Sequence, residues 1–205
     1  MPLNRQSTGY LIQRLFEEPR LLPSNSYSDN VTINQDFTDW LSISNTAIDY
    51  PVVKGRDNEF NLEHDFYKDQ HPFESLFMDT EMLGWARSAY DFVRPLYVLR
   101  EYVCRPGEIL SEDFFNSNQT IVFQDLFTDR TYEIFSVHIA PADPYFINES
   151  FNTPDLTKYY EELKELSLFE RERDFTGEEK LMTLISCNYT VNDGRVYVHA
   201  IEITY

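Results

Sequence analysis

Two residues near the C-terminal end hold the side chains best suited to covalent chemistry. Cys187 ends the run Leu181-Met182-Thr183-Leu184-Ile185-Ser186-Cys187, and Arg195 follows Asn192-Asp193-Gly194. The first run is apolar and β-rich, Asn-Asp-Gly is turn chemistry, and Val196-Tyr197-Val198 and Ile201-Glu202-Ile203 alternate to the end. The segment therefore reads as two strands joined by a tight turn, with a cysteine ending one strand and an arginine beginning the next. Only the thiolate is a nucleophile, and a thiol near its reference pKa is about 3% ionised at neutral pH. A fixed guanidinium stabilises that thiolate, or the oxyanion formed when it attacks a carbonyl. The same spacing also describes a buried structural cysteine beside a surface arginine, because cysteine outside disulfides is among the most buried residue types.

The rest of the chain supplies the frame. Leu11, Leu15 and Ile12, Phe16 stand at i,i+4 before Pro19, which predicts a short amphipathic helix, and residues 22–34 read as a loop or linker. Residues 36–53 predict two strands around a polar turn at Ser44-Asn45-Thr46, residues 57–75 loop and short helix, and residues 76–78 a brief buried strand. A helix over 81–93, carrying Met82, Trp85, Ala89 and Phe92, is stopped by Arg94-Pro95, and a strand is expected over 96–103. Ser111 caps a short helix, and residues 120–127 and 130–140 form a hairpin whose turn lacks the favoured glycine. The clearest helix is 155–169, with Leu156, Tyr159, Tyr160, Leu163 and Leu166 on one face. Strands interrupted by short helices predict a mainly β fold with peripheral helices, closed as a barrel rather than built from βαβ units.

A chain of 205 residues fits one domain, and 42% hydrophobic with 16% aromatic content marks a folded, strand-rich protein. The formal charge of −18, from 35 acidic and 17 basic residues, argues against electrostatic binding of nucleic acid or an anionic membrane. Cys104 and Cys187 make neither a disulfide framework nor a zinc site; they bridge each other or both stay reduced, since bridging needs Cα atoms within about 7 Å. No pattern calls for a metal or organic cofactor. No stretch approaches the roughly 20 apolar residues of a membrane span, and residues 1–20 lack a signal-peptide pattern.

Thr183-Leu184-Ile185-Ser186-Cys187 followed by Arg195 resembles the TLxTC...R signature of sortases, the cell-wall cysteine transpeptidases of Gram-positive bacteria, with Ser186 where threonine is usual. Asp39-Trp40-Leu41-Ser42-Ile43, Ile48-Asp49-Tyr50-Pro51-Val52-Val53-Lys54-Gly55 and Asp57-Asn58-Glu59-Phe60 are similar to the opening blocks of class B sortases. Asn61-Leu62-Glu63-His64-Asp65-Phe66, Ser75-Leu76-Phe77-Met78-Asp79 and Tyr132-Glu133-Ile134-Phe135-Ser136-Val137 resemble later blocks in the same order. The resemblance implies a closed eight-stranded barrel over 35–205, with 1–34 an N-terminal helix and linker packed on it and the helix at 155–169 in the connection before the cysteine strand. It also implies a membrane anchor upstream, Met1-Pro2 being an introduced start, and a location on the extracellular face of a Gram-positive membrane.

The chemistry so implied is attack of Cys187 on a sorting-signal peptide, with resolution of the thioacyl enzyme by an amine of the cell wall or a pilin. Arg195 would stabilise the oxyanion or position the peptide, helped by backbone near Ser186 and Cys187. Protonating the leaving amine falls to a histidine in this family. At that place in its I-Y-G-H-N-M block this chain has Leu99, with Tyr97 matching the tyrosine and Val98 replacing the glycine. The histidines present are His64, His71, His138 and His199, and each reads as structural. His199 shares a strand face with Arg195 but lies roughly 13 Å along it. Glu101 or Glu108 as acid or base, Tyr97 or Tyr102 as proton donor, and Cys104 as redox partner are the substitutes near the altered block. The alternative is a noncatalytic module that binds a pilin, sorting motif or partner sortase.

Overall fold

The structure, a computed structural model, describes residues 26–44, 46, 48–55, 57–70, 75–78, 93–97, 110–117, 120–147, 153–169, 171–188 and 190–203. Its elements in chain order are α1 Tyr27–Ile33, β1 Phe37–Ile43, β2 Asp49–Val53, α2 Asn58–Glu63, β3 Leu76–Met78, β4 Val93–Tyr97, α3 Glu112–Ser117, β5 Thr120–Gln124, β6 Asp129–Pro141, a 3-10 turn Pro144–Ile147, α4 Thr153–Leu166, β7 Leu181–Asn188 and β8 Gly194–Ile203. The strands hydrogen-bond in the order β1-β2-β3-β4-β7-β8-β6-β5, and β1 pairs with β5 to complete the ring. The pairs β2–β3 and β4–β7 are parallel and the others antiparallel. This is the mainly β fold with peripheral helices that the sequence predicts.

Alternation along the strands turns one face into the barrel and the other onto outer cores. Leu41, Val52, Ile121, Phe123, Tyr132, Met182, Leu184, Val196, Val198 and Ala200 fill the barrel. The opposite face of β6, β7 and β8 packs under α4 through Phe135, Leu181, Ile185, Tyr197 and Ile201, against Leu156, Tyr159, Tyr160 and Leu163. A bulge in β6 makes both contacts possible. Ile134 pairs with Ala200, but Ser136 pairs with His199, so Phe135 is an extra residue. A one-residue slip exchanges the two faces of a strand. Before the bulge Tyr132 and Ile134 point into the barrel; after it Val137 does, and Ser136 turns to α4, where its hydroxyl donates to the Leu163 carbonyl at 2.6 Å.

Several expected boundaries move. Residues 22–34, read as linker, contain the helix α1, whose Tyr27, Val31 and Ile33 pack against Phe37, Trp40, Val53, Phe66 and Phe77. Three apolar residues suffice there because the buried Asn34 side chain donates to the Phe66 carbonyl at 2.9 Å and accepts from the Asp36 amide at 2.9 Å, fixing the chain where it enters β1. The strand expected over 96–103 begins instead at Val93, so Arg94 and Pro95 lie within β4 and not at a helix end. The strand expected to run to 127 ends at Gln124, because Asp125 Oδ1 accepts from the Phe127 and Thr128 amides at 2.7 and 2.8 Å and bends the chain. The long helix spans Thr153–Leu166; beyond it Leu168 donates to the Val137 carbonyl at 2.8 Å. The helix expected over 9–16 lies outside the described residues, as do residues 81–92 of the helix expected over 81–93, whose last residue, Val93, opens β4 instead.

Candidate active site

On antiparallel strands, residues directly opposite each other project from the same face. The face under α4 is thus a set of rows across β7, β8 and β6. Thr183, His199 and Ser136 form one row, Ile185, Tyr197 and His138 the next, and Cys187, Arg195 and Ala140 the last. Cys187 and Arg195, on the two arms of one hairpin, are directly paired at the end of that face. Cys187 carries a thiol and is partly buried. With Asn188, Arg195 and the turn residues 190–194 it lines an open cleft of about 500 Å³.

The turn beside the thiol is tightly specified. Gly194 donates to the Val191 carbonyl at 3.0 Å, and Asn188 Oδ1 accepts from the Thr190 amide at 2.8 Å as well as from its hydroxyl. Asp193 takes a left-handed conformation with φ of 49°, which aspartate tolerates better than most residues. Its carbonyl accepts from Ala142 at 2.9 Å, tying the turn to the end of β6. The Arg195 guanidinium folds back onto this turn. Nη2 lies 3.1 Å from Asp193 Oδ1, while Nη1 donates to the Gly194 carbonyl at 2.9 Å and to the Asp193 carbonyl at 3.3 Å. Sequence alone marks Asp193 as a turn former; its contact with Arg195 appears only once the turn conformation brings the carboxylate around.

The histidines lie elsewhere. His138 and His199 are buried, stacked at 5.0 Å between ring centroids, and enclosed by Tyr197 and Phe146. His199 shares a 2.9 Å hydrogen bond between Nδ1 and Thr183 Oγ1, whereas its Nε2 and both nitrogens of His138 have no hydrogen-bond partner. From their rows, His138 is on the order of 12 Å from Cys187 and His199 on the order of 14 Å at usual strand spacings, Cα to Cα. Burial pushes His138 down to about 4; burial and then the charge of His138 push His199 well down too. Both shifts favour the neutral imidazole over the imidazolium at neutral pH. His64 bonds the Phe60 carbonyl at 2.8 Å and stacks on the Phe60 ring, consistent with a structural role.

The described part of β4 ends at Tyr97, paired with Ile185. Leu99, Glu101, Tyr102, Cys104, Glu108 and His71 lie outside the described residues. Among the described residues no group of three or more His, Cys, Asp or Glu side chains is placed to hold a metal ion, and no helix is long and apolar enough to cross a membrane. Among the described residues the cleft offers one nucleophile and one anchored cation, a pair suited to carbonyl addition.

No family profile matches the chain. It is 26% identical to sortase B of Listeria monocytogenes over 164 residues, 76% of this chain and 64% of that protein, so it spans just under two thirds of that relative's length. It is 25% identical to sortase B of Staphylococcus aureus over 179 residues, 82% of this chain and 70% of the relative. The structure of Clostridium perfringens sortase B superposes with a TM-score of 0.77 and 31% identity, covering 87% of this chain and 100% of that one. Likeness of that extent in both fold and sequence means that the chain belongs to the class B sortases.

Proposed function

We propose that this chain is a sortase-family cysteine transpeptidase acting on sorting-signal peptides at the outer face of a Gram-positive membrane, with an anchor upstream, in cell-wall or pilus attachment. The observation that carries the reading is the pairing of Cys187 with Arg195 at an open cleft. The Cys187 thiolate adds to the peptide carbonyl carbon, and the guanidinium of Arg195 donates to the oxyanion that forms. Collapse breaks the C–N bond, the amine leaves with a proton, and a thioester remains on Cys187. A second amine adds to that thioester, the C–S bond breaks, and the new amide departs as the thiolate is restored.

The proton for the leaving amine is the atypical step. None of the described histidines lines the Cys187 cleft, and Leu99 occupies the family's histidine position in sequence. The same observation favours a second reading, a noncatalytic sortase-like module that binds a pilin, sorting motif or partner sortase.

Intact-mass labelling of the reduced protein with a thiol-reactive sorting-signal analogue separates the two, comparing wild type with Cys187→Ala and Cys104→Ala. Labelling lost only in Cys187→Ala supports the transpeptidase. Labelling no faster than that of an ordinary exposed thiol sinks it in favour of the module, whose direct check is equilibrium binding of the same peptide without the reactive group.

A further inference from the structure

Arginine is a long, flexible side chain, and Arg195 is only 29% exposed although it stands at the mouth of an open cleft. The turn restrains it. Asp193 meets the guanidinium through both its carboxylate and its carbonyl, and the Gly194 carbonyl completes the set of acceptors. The turn itself has little freedom: a Cβ at Gly194 would fall 2.7 Å from the Asn188 carbonyl oxygen and 2.8 Å from that of Val191. The left-handed backbone at Asp193 aims the carboxylate back over the β8 strand that carries Arg195.

We propose that Asp193 is the positioning residue for Arg195, holding the guanidinium at the cleft beside Cys187 before any substrate arrives. The inference rests on the reading of Arg195 as the group that serves the thiol. A fork clamped by fixed acceptors reaches an oxyanion with less reorganisation than one moving in solvent. The clamp also carries an opposing charge, so Asp193 moderates the cation as well as placing it. Placement and charge separate on substitution. Asp193→Asn keeps a side-chain acceptor oxygen and removes the charge; Asp193→Gly removes both and leaves only the backbone carbonyls of 193 and 194; each residue tolerates the left-handed backbone.

The test uses the whole chain and two small probes, anionic iodoacetate and neutral iodoacetamide, with alkylation at Cys187 followed by peptide mass. The ratio of the two rates reports a cation held near the sulfur and needs no transpeptidase activity. Asp193→Asn should keep the ratio at or above the wild-type value, while Asp193→Gly should fall at least about threefold below Asp193→Asn, the size of effect a displaced unit charge has near a surface. Equal ratios for the Asn and Gly variants overturn the positioning role. Arg195→Gln is the companion measurement: a ratio unchanged by it removes Arg195 from the thiol and overturns the underlying reading of the site, whereas a lowered ratio there with equal Asn and Gly variants overturns only the role of Asp193.

Discussion

Cys187 and Arg195 are directly opposed on β7 and β8, one pair short of the turn, where Asn188 faces Gly194. Whatever fixes that last pair fixes the register of the Cys187–Arg195 pair beside it. Backbone carbonyls crowd Gly194 on two sides, so the turn must open to admit any side chain there.

Gly194→Ala should therefore cost about 1–3 kcal/mol of stability, the range for forcing atoms into a packed site. Urea unfolding measures the loss. Alkylation of Cys187 by iodoacetate should slow in the same variant, because the turn that carries the acceptors for Arg195 has shifted. Wild-type stability would show that the backbone yields at no cost.

His138 should make the fold acid-sensitive in a defined window. Burial lowers its proton affinity from the ordinary value of 6.5 to about 4. The unfolded chain then binds a proton more readily than the folded one, so the stabilisation is complete above about pH 6.5, declines as pH falls toward 4, and amounts to about 3 kcal/mol by linkage. His138→Phe keeps an aromatic ring against Phe146, Tyr197 and His199 and removes the titration. Unfolding free energies between pH 7 and pH 4.5 should drop more steeply for wild type than for the variant; parallel curves would mean that the imidazole is already protonated or solvated in the folded state.

The pairing of Cys187 with Arg195 was legible because an apolar run, Asn192-Asp193-Gly194 and an alternating run define a hairpin by local rules alone. Those rules also found the face of α4, where Leu156, Tyr159, Tyr160 and Leu163 are buried at helical spacing, although Leu166, expected on the same face, is exposed. They missed α1, whose three anchoring side chains gain their partners from β1, β2, β3 and the loop after α2. The bulge at Phe135 was equally invisible, since its β-rich run alternates acceptably in either register. Without the bulge, Ser136 and His138 would not join His199 under α4. The clamp on Arg195 belongs to the same class, a contact decided by one backbone angle at Asp193.

The β5–β6 turn succeeds without glycine because Asp125 replaces it with side-chain bonds. Partial burial alone would raise its carboxyl, but the Phe127 and Thr128 amides and then Arg130, 2.8 Å from Oδ2, outweigh that and hold it below the usual range. Asp125→Ala should lose about 1–2 kcal/mol, the net worth of these bonds once water competes for the donors. Asp125→Asn should lose less, because the amide oxygen still accepts from the turn. Chemical denaturation of the two variants gives the comparison, and equal losses would assign the effect to the Arg130 ion pair instead.

Thr183 opens the sequence block that ends in Cys187, yet its hydroxyl serves the buried His199 in its own row, two rows from the cysteine. Its Oγ1 meets His199 Nδ1 at 2.9 Å, and both side chains are almost wholly buried. Thr183→Val preserves shape and removes the one hydrogen bond described for that ring. The expected cost is about 1–3 kcal/mol, the penalty for stranding a buried polar group. With His199→Phe already in place nothing remains to be stranded, so the same substitution should cost less by about 1 kcal/mol, a coupling that a double-mutant cycle resolves. Equal costs in the two backgrounds would mean that the threonine acts through packing alone, and the stability of the face that ends in Cys187 would then rest on Ile185, Tyr197 and the helix above them.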